Sequence, residues 1–208
     1  MFGSLKFKIA SENWEFEQIH HLNYTTFVEE IPQHGANDDR ALIDKFHREN
    51  TYIICLDRDR VVGMIAVRGQ RPFSLDQKLE NLDAFLPHDR TLCELRLLAV
   101  EKKYRNGWVF WGMGKVLAEH CLKQGFDLAL ISGTTRQQKL YRHLGFVPFG
   151  PLVGQAGAQF QPMYLSLETF RRRARMFRRV IGRDQVAPEL MELIEDDEVE
   201  VPGSPDEN

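Results

Sequence analysis

Nine residues constrain this chain more than any others: LCELRLLAV, at 92–100. A run this apolar and this short reads as a central strand rather than a surface one. Alternate side chains of a strand share a face. Leu92, Glu94, Arg96, Leu98 and Val100 therefore point one way, and Cys93, Leu95, Leu97 and Ala99 the other. A carboxylate and a guanidinium on one face of a central strand are costly unless they pair or border a cleft. The residues alone leave two readings open. One is a buried Glu–Arg pair or two solvated edge positions. The other is a site, with a carboxylate that accepts a proton and a guanidinium that holds an anionic group.

The elements around this strand follow from local pattern. LKFKI (5–9) alternates as a half-buried strand does, and Ser11 is placed to cap a helix through Trp14, Phe16 and Ile19. LNYTTFVEEIPQHG (22–35) continues helical and stops at Pro32 and Gly35, and Asp38 or Asp39 caps a second helix over ALIDKFHREN. TYIICLDRDRVVGMIAVRG reads as a hairpin broken at the polar DRDR. A connector follows, with a short helix expected over 74–85. FDLALIS (126–132) is a strand, QQKLYRHL a helix, GFVPF (145–149) a short strand, GPLVGQAGAQFQP a loop and MYLSLE the last strand. This order gives an α/β domain with a mixed sheet.

The stretch YRNGWVFWGMGKVL (104–117) offers two glycine arrangements for a phosphate-cradling loop. Helix length decides between them. A helix starting after Gly114 has only ten residues before the stop at Gly125, short for covering a sheet. Val109, Met113, Val116, Leu117, His120 and Cys121 share one helical face, so the helix begins by Trp108 or Val109. The cradle is then Tyr104–Trp108, where N–H groups at a helix start attract phosphate. Gly112 and Gly114 become helix-interior residues, tolerable if their small size lets the helix pack closely on the sheet.

Composition excludes several classes. A net charge of −3 argues against a dedicated nucleic-acid binder. Cys55, Cys93 and Cys121 form no CxxC pair, which points to a reducing, cytoplasmic setting. No HExxH or paired CxxC spacing is present, so no metal is expected. No apolar run approaches a membrane span, and the first residues lack a signal-peptide core. Beyond 169 the character changes: TFRRRARMFRRVIGR carries seven arginines around Phe170, Ala174, Phe177 and Ile181, and an acidic tail follows. Residues 1–169 thus form the domain, with a basic amphipathic helix and an acidic, disordered tail over 170–208. The helix is either solvated, pairing with the tail, or a contact for an anionic membrane or carrier protein through 170–183.

Three motifs resemble one superfamily. Glu94-Leu95-Arg96-Leu97-Leu98-Ala99-Val100, Lys103-Tyr104-Arg105 followed by a glycine, and Lys139-Leu140-Tyr141-Arg142-His143-Leu144-Gly145-Phe146 resemble the cofactor strand, pyrophosphate loop and LYxKxGF signature of the GNAT (Gcn5-related) N-acetyltransferases. The resemblance spans roughly 5–168. It implies a GNAT-like mixed, mostly antiparallel sheet of six to seven strands, flanked by helices and splayed at the central parallel pair. It implies acyl transfer from acetyl-CoA or a longer acyl-CoA to an amine, without a metal, or else a non-catalytic module of the same fold that binds a thioester. Glu94 would be the general base and Tyr141 the acid for the departing thiolate. Leu98, Ala99, Val100, Arg105, Asn106, Gly107 and Trp108 would hold the cofactor.

LNYTTFVEEIP (22–32) is similar to a segment of the branch containing N-acyl amino acid synthases and acyl-homoserine lactone synthases. That likeness implies Phe27, Glu29 and Arg96 as acceptor-site residues, an amine or amino acid acceptor, and an acidic acyl carrier protein as an alternative donor. Asn23 and Thr25 stand where that branch carries basic residues, and Trp108 and Phe110 where the superfamily loop carries small ones.

Overall fold

Two runs of almost continuously buried residues, Asn50–Asp57 (β2) and Arg60–Arg68 (β3), close over the two-residue turn Arg58-Asp59, with Arg58 at φ 57°. This hairpin is the middle of a sheet in a computed structural model that describes residues 5–105, 108–155 and 158–173. The remaining strands are β1 (Leu5–Ile9), β4 (Leu92–Val100), β5 (Leu128–Thr134), β6 (Val147–Pro148), β7 (Val153–Gln155) and β8 (Ala158–Ser166). Their order is β1-β2-β3-β4-β5-β8-β6, with β7 on β8, making eight strands rather than six or seven. Every pairing is antiparallel except β4 with β5.

That one parallel pairing is short. Leu92, Cys93 and Glu94 register with Leu128, Ala129 and Leu130, and the strands then run on unpaired to Val100 and Thr134. The sheet is splayed there. Just beyond, β4 bulges: Arg96 opposes Ala66 and Ala99 opposes Met64, so β4 takes three steps where β3 takes two. Leu97 absorbs the extra residue at φ 53°, a left-handed conformation costing about 1–2 kcal/mol for a side chain with a Cβ. The bulge corrects the simple alternation. Cys93, Leu95 and Val100 pack on one layer, while Leu97 and Ala99 pack on the other, so Val100 does not share a face with Glu94.

Helices cover both faces. Helix α1 (Asn13–Tyr24) buries Ile19 and Leu22 against Tyr52, Ile54, Met64 and Ala66. Its cap is Glu12 rather than Ser11: Glu12 and Glu15 form a reciprocal capping box, and Lys8 neutralises buried Glu15 at 2.7 Å. The helix does not continue regularly to Pro32. Thr25–Glu30 is π-helical, and the Ile31 N–H donates to Thr26 O, five residues back. The expected helix over ALIDKFHREN is instead turns and irregular chain, and 74–85 is turns ending in a 3₁₀ segment, Leu82–Phe85. Asp44 explains the first difference, because its Oδ1 accepts from the Phe46 N–H and the Asn50 amide and so holds a turn. The strand expected over 145–149 shrinks to Val147–Pro148, and the Gly-rich loop after it supplies the β7–β8 hairpin.

Helix α2 spans Trp108–Lys123, so the GMG lies inside it. Val109 and Met113 are buried against Ile53, Val62 and Cys93. The two helical glycines differ. A Cβ on Gly112 would stand 2.2 Å from the Phe7 ring of β1, whereas one on Gly114 would meet nothing within 4 Å. Close packing therefore accounts for Gly112 and not for Gly114. The last described residues, 167–173, are helical, and the rest of the basic segment and the acidic tail (174–208) lie outside the described residues. No described helix is long and apolar enough to cross a membrane. In urea denaturation, Gly112→Ala is expected to destabilise by about 1–3 kcal/mol through overpacking. Gly114→Ala is expected to stabilise by up to about 1 kcal/mol.

Candidate active site

Where β4 and β5 part, a cavity of about 2550 Å³ opens and runs from one face of the sheet to the other. Its α1-side wall includes Asn23, Thr26, Phe27, Asp44, Ser74 and Lys78, and its α2-side wall includes Leu95, Met113, Val116, Leu117 and Cys121. Leu98, mid-strand in the centre of the sheet, is 41% exposed because it opens into this space. The α2 side is apolar. The α1 side is polar, and its charges are tightly organised.

Glu94 sits at the point where pairing stops and is only 1% exposed. Its carboxylate accepts from the Ser74 N–H at 2.8 Å and the Ser74 hydroxyl at 2.5 Å, and Arg96 Nη1 lies 3.3 Å away. Arg96 turns its other terminal nitrogen to Asp44, Nη2 to Oδ2, at 2.7 Å, and stacks over the Phe46 ring. The charges thus run Glu94–Arg96–Asp44, from the floor of the cavity into the 44–50 turn. Arg96 Nε is left buried without an acceptor, Asn23 Oδ1 without a donor and Thr26 Oγ1 without a partner. Such orphans cost about 1–3 kcal/mol each, and all three residues line the cavity.

Tyr141 approaches from the far side, on α3 (Gln138–Leu144), which follows β5. Its ring lies on Gly133, where an added Cβ would come within 2.9 Å. Its hydroxyl donates to Gln137 Oε1 at 2.8 Å. Burial pushes the phenol up, with Thr134 opposing. The proton is therefore retained in the neutral range, as a donor requires.

At the other end of β4, Lys102–Tyr104 makes a 3₁₀ turn and α2 starts at Trp108. Arg105 lies between them. Its Nε donates to Val100 O at 2.7 Å and its Nη2 meets Glu30 of the π-helix at 2.7 Å. Trp108 is 59% exposed at the cavity mouth, Ala99 is buried in the core, and Asn106 and Gly107 lie outside the described residues. Among the described residues no cluster of His, Cys, Asp or Glu is arranged to hold a metal ion.

Residues 22–114 match the family model described as "Acetyltransferase (GNAT) domain". Over these residues the chain is similar to GNAT acetyltransferases. Its fold agrees with solved structures across this architecture. The N-acyl amino acid synthase FeeM from uncultured soil microbes aligns at TM-score 0.67 and 16% identity, over 81% of this chain and 94% of that one. The CoA-dependent acyl-homoserine lactone synthase BjaI, solved with SAM and isopentyl-CoA, aligns at 0.65 and 22% identity, over 77% and 81%. The AHL synthase LasI aligns at 0.65 and 16%, over 79% and 91%. A search of curated proteins finds no significant match.

The residues expected from sequence divide between those that line the cavity and those that do not. Glu94, Arg96, Leu98, Val100, Arg105, Trp108, Phe27 and Tyr141 all line the one cavity. Glu29 does not, and pairs instead with Arg40 on the surface. Ser74, Asp44, Lys78 and Glu30 also belong to the site's network and were not anticipated. Ser74 and Lys78 sit in a turn-rich connector with no periodic signal, and Asp44 was read as helical. Cys93 and Cys121, scattered in sequence, bring their sulfurs to 4.0 Å across β4 and α2. Asp44→Ala strands Arg96 without its closer carboxylate. It is expected to cost about 3 kcal/mol in urea unfolding, as removal of one partner of a shielded ion pair does.

Proposed function

We propose that this chain transfers an acyl group from a thioester, of CoA or of an acyl carrier protein, directly to the amine of a small molecule. The observation that carries the reading is the cavity through the β4–β5 splay, apolar on one side of the sheet and charged on the other. An acyl chain fits the apolar side and a polar acceptor the charged side. The thioester carbonyl then lies between them, beside the bulge at Leu97–Leu98, where a strand N–H serves as the oxyanion donor.

The proton path follows the hydrogen bonds. Glu94 is too enclosed to meet the amine, so Ser74 Oγ takes the amine proton and passes its own to Glu94. The amine nitrogen attacks the carbonyl carbon, the carbon–sulfur bond breaks, and Tyr141 protonates the departing thiolate. The products are an amide and a free thiol. When bound, the co-substrate supplies the activated acyl group, with Leu98–Val100 along its pantetheine and the Arg105 turn at its phosphates. Arg105 exchanges Glu30 for a phosphate in that event. Cytoplasmic thiol-reducing conditions suit the three free cysteines.

A long-chain donor on a carrier protein is the second reading. It is favoured by the length of the apolar wall, which reaches from Leu95 and Val116 to Leu144 and Phe170. The arginines of 170–183 would meet an acidic carrier.

The test is thiol release with acetyl- to palmitoyl-thioesters, on CoA and on carrier protein, against a panel of amino acids and amines. Release with at least one pair is expected, and silence with every pair overturns the reading. Tyr141→Phe should lower kcat by about 10²-fold; an unchanged kcat removes Tyr141 as the acid. Truncation after Arg173 should raise KM for the carrier-bound donor alone, and an equal effect on CoA donors rules out the docking role.

A further inference from the structure

The polar side of the cavity is short of negative charge at one place. Lys45, Lys78 and Arg96 line it together with Asp44 and Glu94. Both carboxylates are already committed to Arg96, through its two terminal nitrogens. Lys45 bonds the Gln77 side-chain oxygen and lies over the Phe46 ring. Lys78 has no ion pair among the described residues. Its Nζ reaches only the Ser132 hydroxyl at 3.5 Å and the Phe160 ring at 5.3 Å. Arg96 Nε, on the same side of the sheet, is an N–H with no acceptor. Burial lowers the Lys78 ammonium's pKa, Glu94 raises it, and Arg96 and Lys45 lower it, so Lys78 lies within electrostatic reach of all three.

A cation without a counter-ion on the cavity wall, close to a guanidinium whose Nε–H has no acceptor, makes the elements of an anion receptor. We propose that Lys78 and Arg96 Nε receive the carboxylate of the acceptor, so that the amine acylated here belongs to an amino acid. The proposal rests on reading the cavity as an acyl-transfer site, and it adds the acceptor's chemical class and a specificity residue.

The geometry distinguishes this anion from the donor's phosphates. Those belong at Arg105, beyond Val100, and Val100 is six residue steps along the strand from Glu94, about 20 Å. Ser132 lies two residues past Leu130, the last β5 residue paired with β4. Lys78 therefore spans the open end of the splay, beside the expected thioester. In an α-amino acid the amine and the carboxylate hang from one carbon. A single molecule can thus give its carboxylate to Lys78 and Arg96 while its amine faces Ser74 and Glu94.

The experiment measures thiol release by the full chain. Each of a panel of amino acids is compared with its own methyl ester and its own decarboxylated amine. The wild type is expected to favour the free carboxylate in acceptor kcat/KM. Lys78→Met should cut that preference by about 10- to 100-fold, the range for a hydrogen bond to a charged group. The loss should fall mainly in acceptor KM, and Lys78→Arg should restore most of the preference. A uniform loss across carboxylates, esters and amines overturns the proposal, as does a wild type that favours the decarboxylated amines. No thiol release from the wild type with any pair is a different failure: it removes the acyl-transfer reading and this proposal with it.

Discussion

The structure depends on a hydrogen-bond ladder that stops early. β4 and β5 pair over three residues and then separate, leaving backbone groups of two central strands without each other as partners. A buried sheet cannot leave such groups to apolar surroundings, so the space beyond Glu94 and Leu130 has to be a cavity. The other unusual features cluster there. The Leu97 bulge turns β4 away, Leu98 becomes exposed inside the sheet, Gly133 makes room for the Tyr141 ring, and Lys78 crosses the opening.

The charged cluster below the opening follows from that geometry. A lone carboxylate at 1% exposure would be costly, and Glu94 is tolerated because three donors surround it. Two of those donors belong to Ser74 of the connector and one to Arg96 of the same strand, so the loop at 71–90 is tied to the sheet through Glu94. Arg96 extends the tie to the 44–50 turn by way of Asp44. Two irregular segments that local propensity would leave loose are held in place by one strand's charged pair. The same pairing commits both carboxylates, which is why the cationic surplus falls on Lys78.

The strands and their approximate limits were legible because β1 alternates and β2–β5 are short, strongly apolar runs, and the start of α2 followed from its length and apolar face. The splay came through resemblance, not periodicity, while the eighth strand and the strand order came from neither. What pattern could not show was non-local or locally irregular. Alternation on β4 assumed no bulge, and nothing in Arg96-Leu97-Leu98-Ala99 marks one. Asp44 favours a turn by hydrogen bonds to Phe46 and Asn50 that compete with helix. Glu94, Arg96 and Tyr141 could be singled out from sequence because they carry recognisable chemistry on regular elements, and all three line the cavity. Ser74, Asp44 and Lys78 were missed because their roles exist only once distant segments meet.

The π-helical lip at Thr25–Glu30 holds two neighbouring acids with opposite tasks: Glu29 reaches Arg40 on the surface and Glu30 reaches Arg105 beside the cavity. A π-turn carries one residue more than an α-turn, and each α-helical residue advances about 100° around the axis. Removing a single residue from this segment would restore the α-helical winding and rotate everything beyond it. The two acids would then change direction, and Phe27 would leave the wall it now lines. In this lip the length of the chain sets the chemistry of the cavity's edge, so insertions and deletions there act more sharply than substitutions.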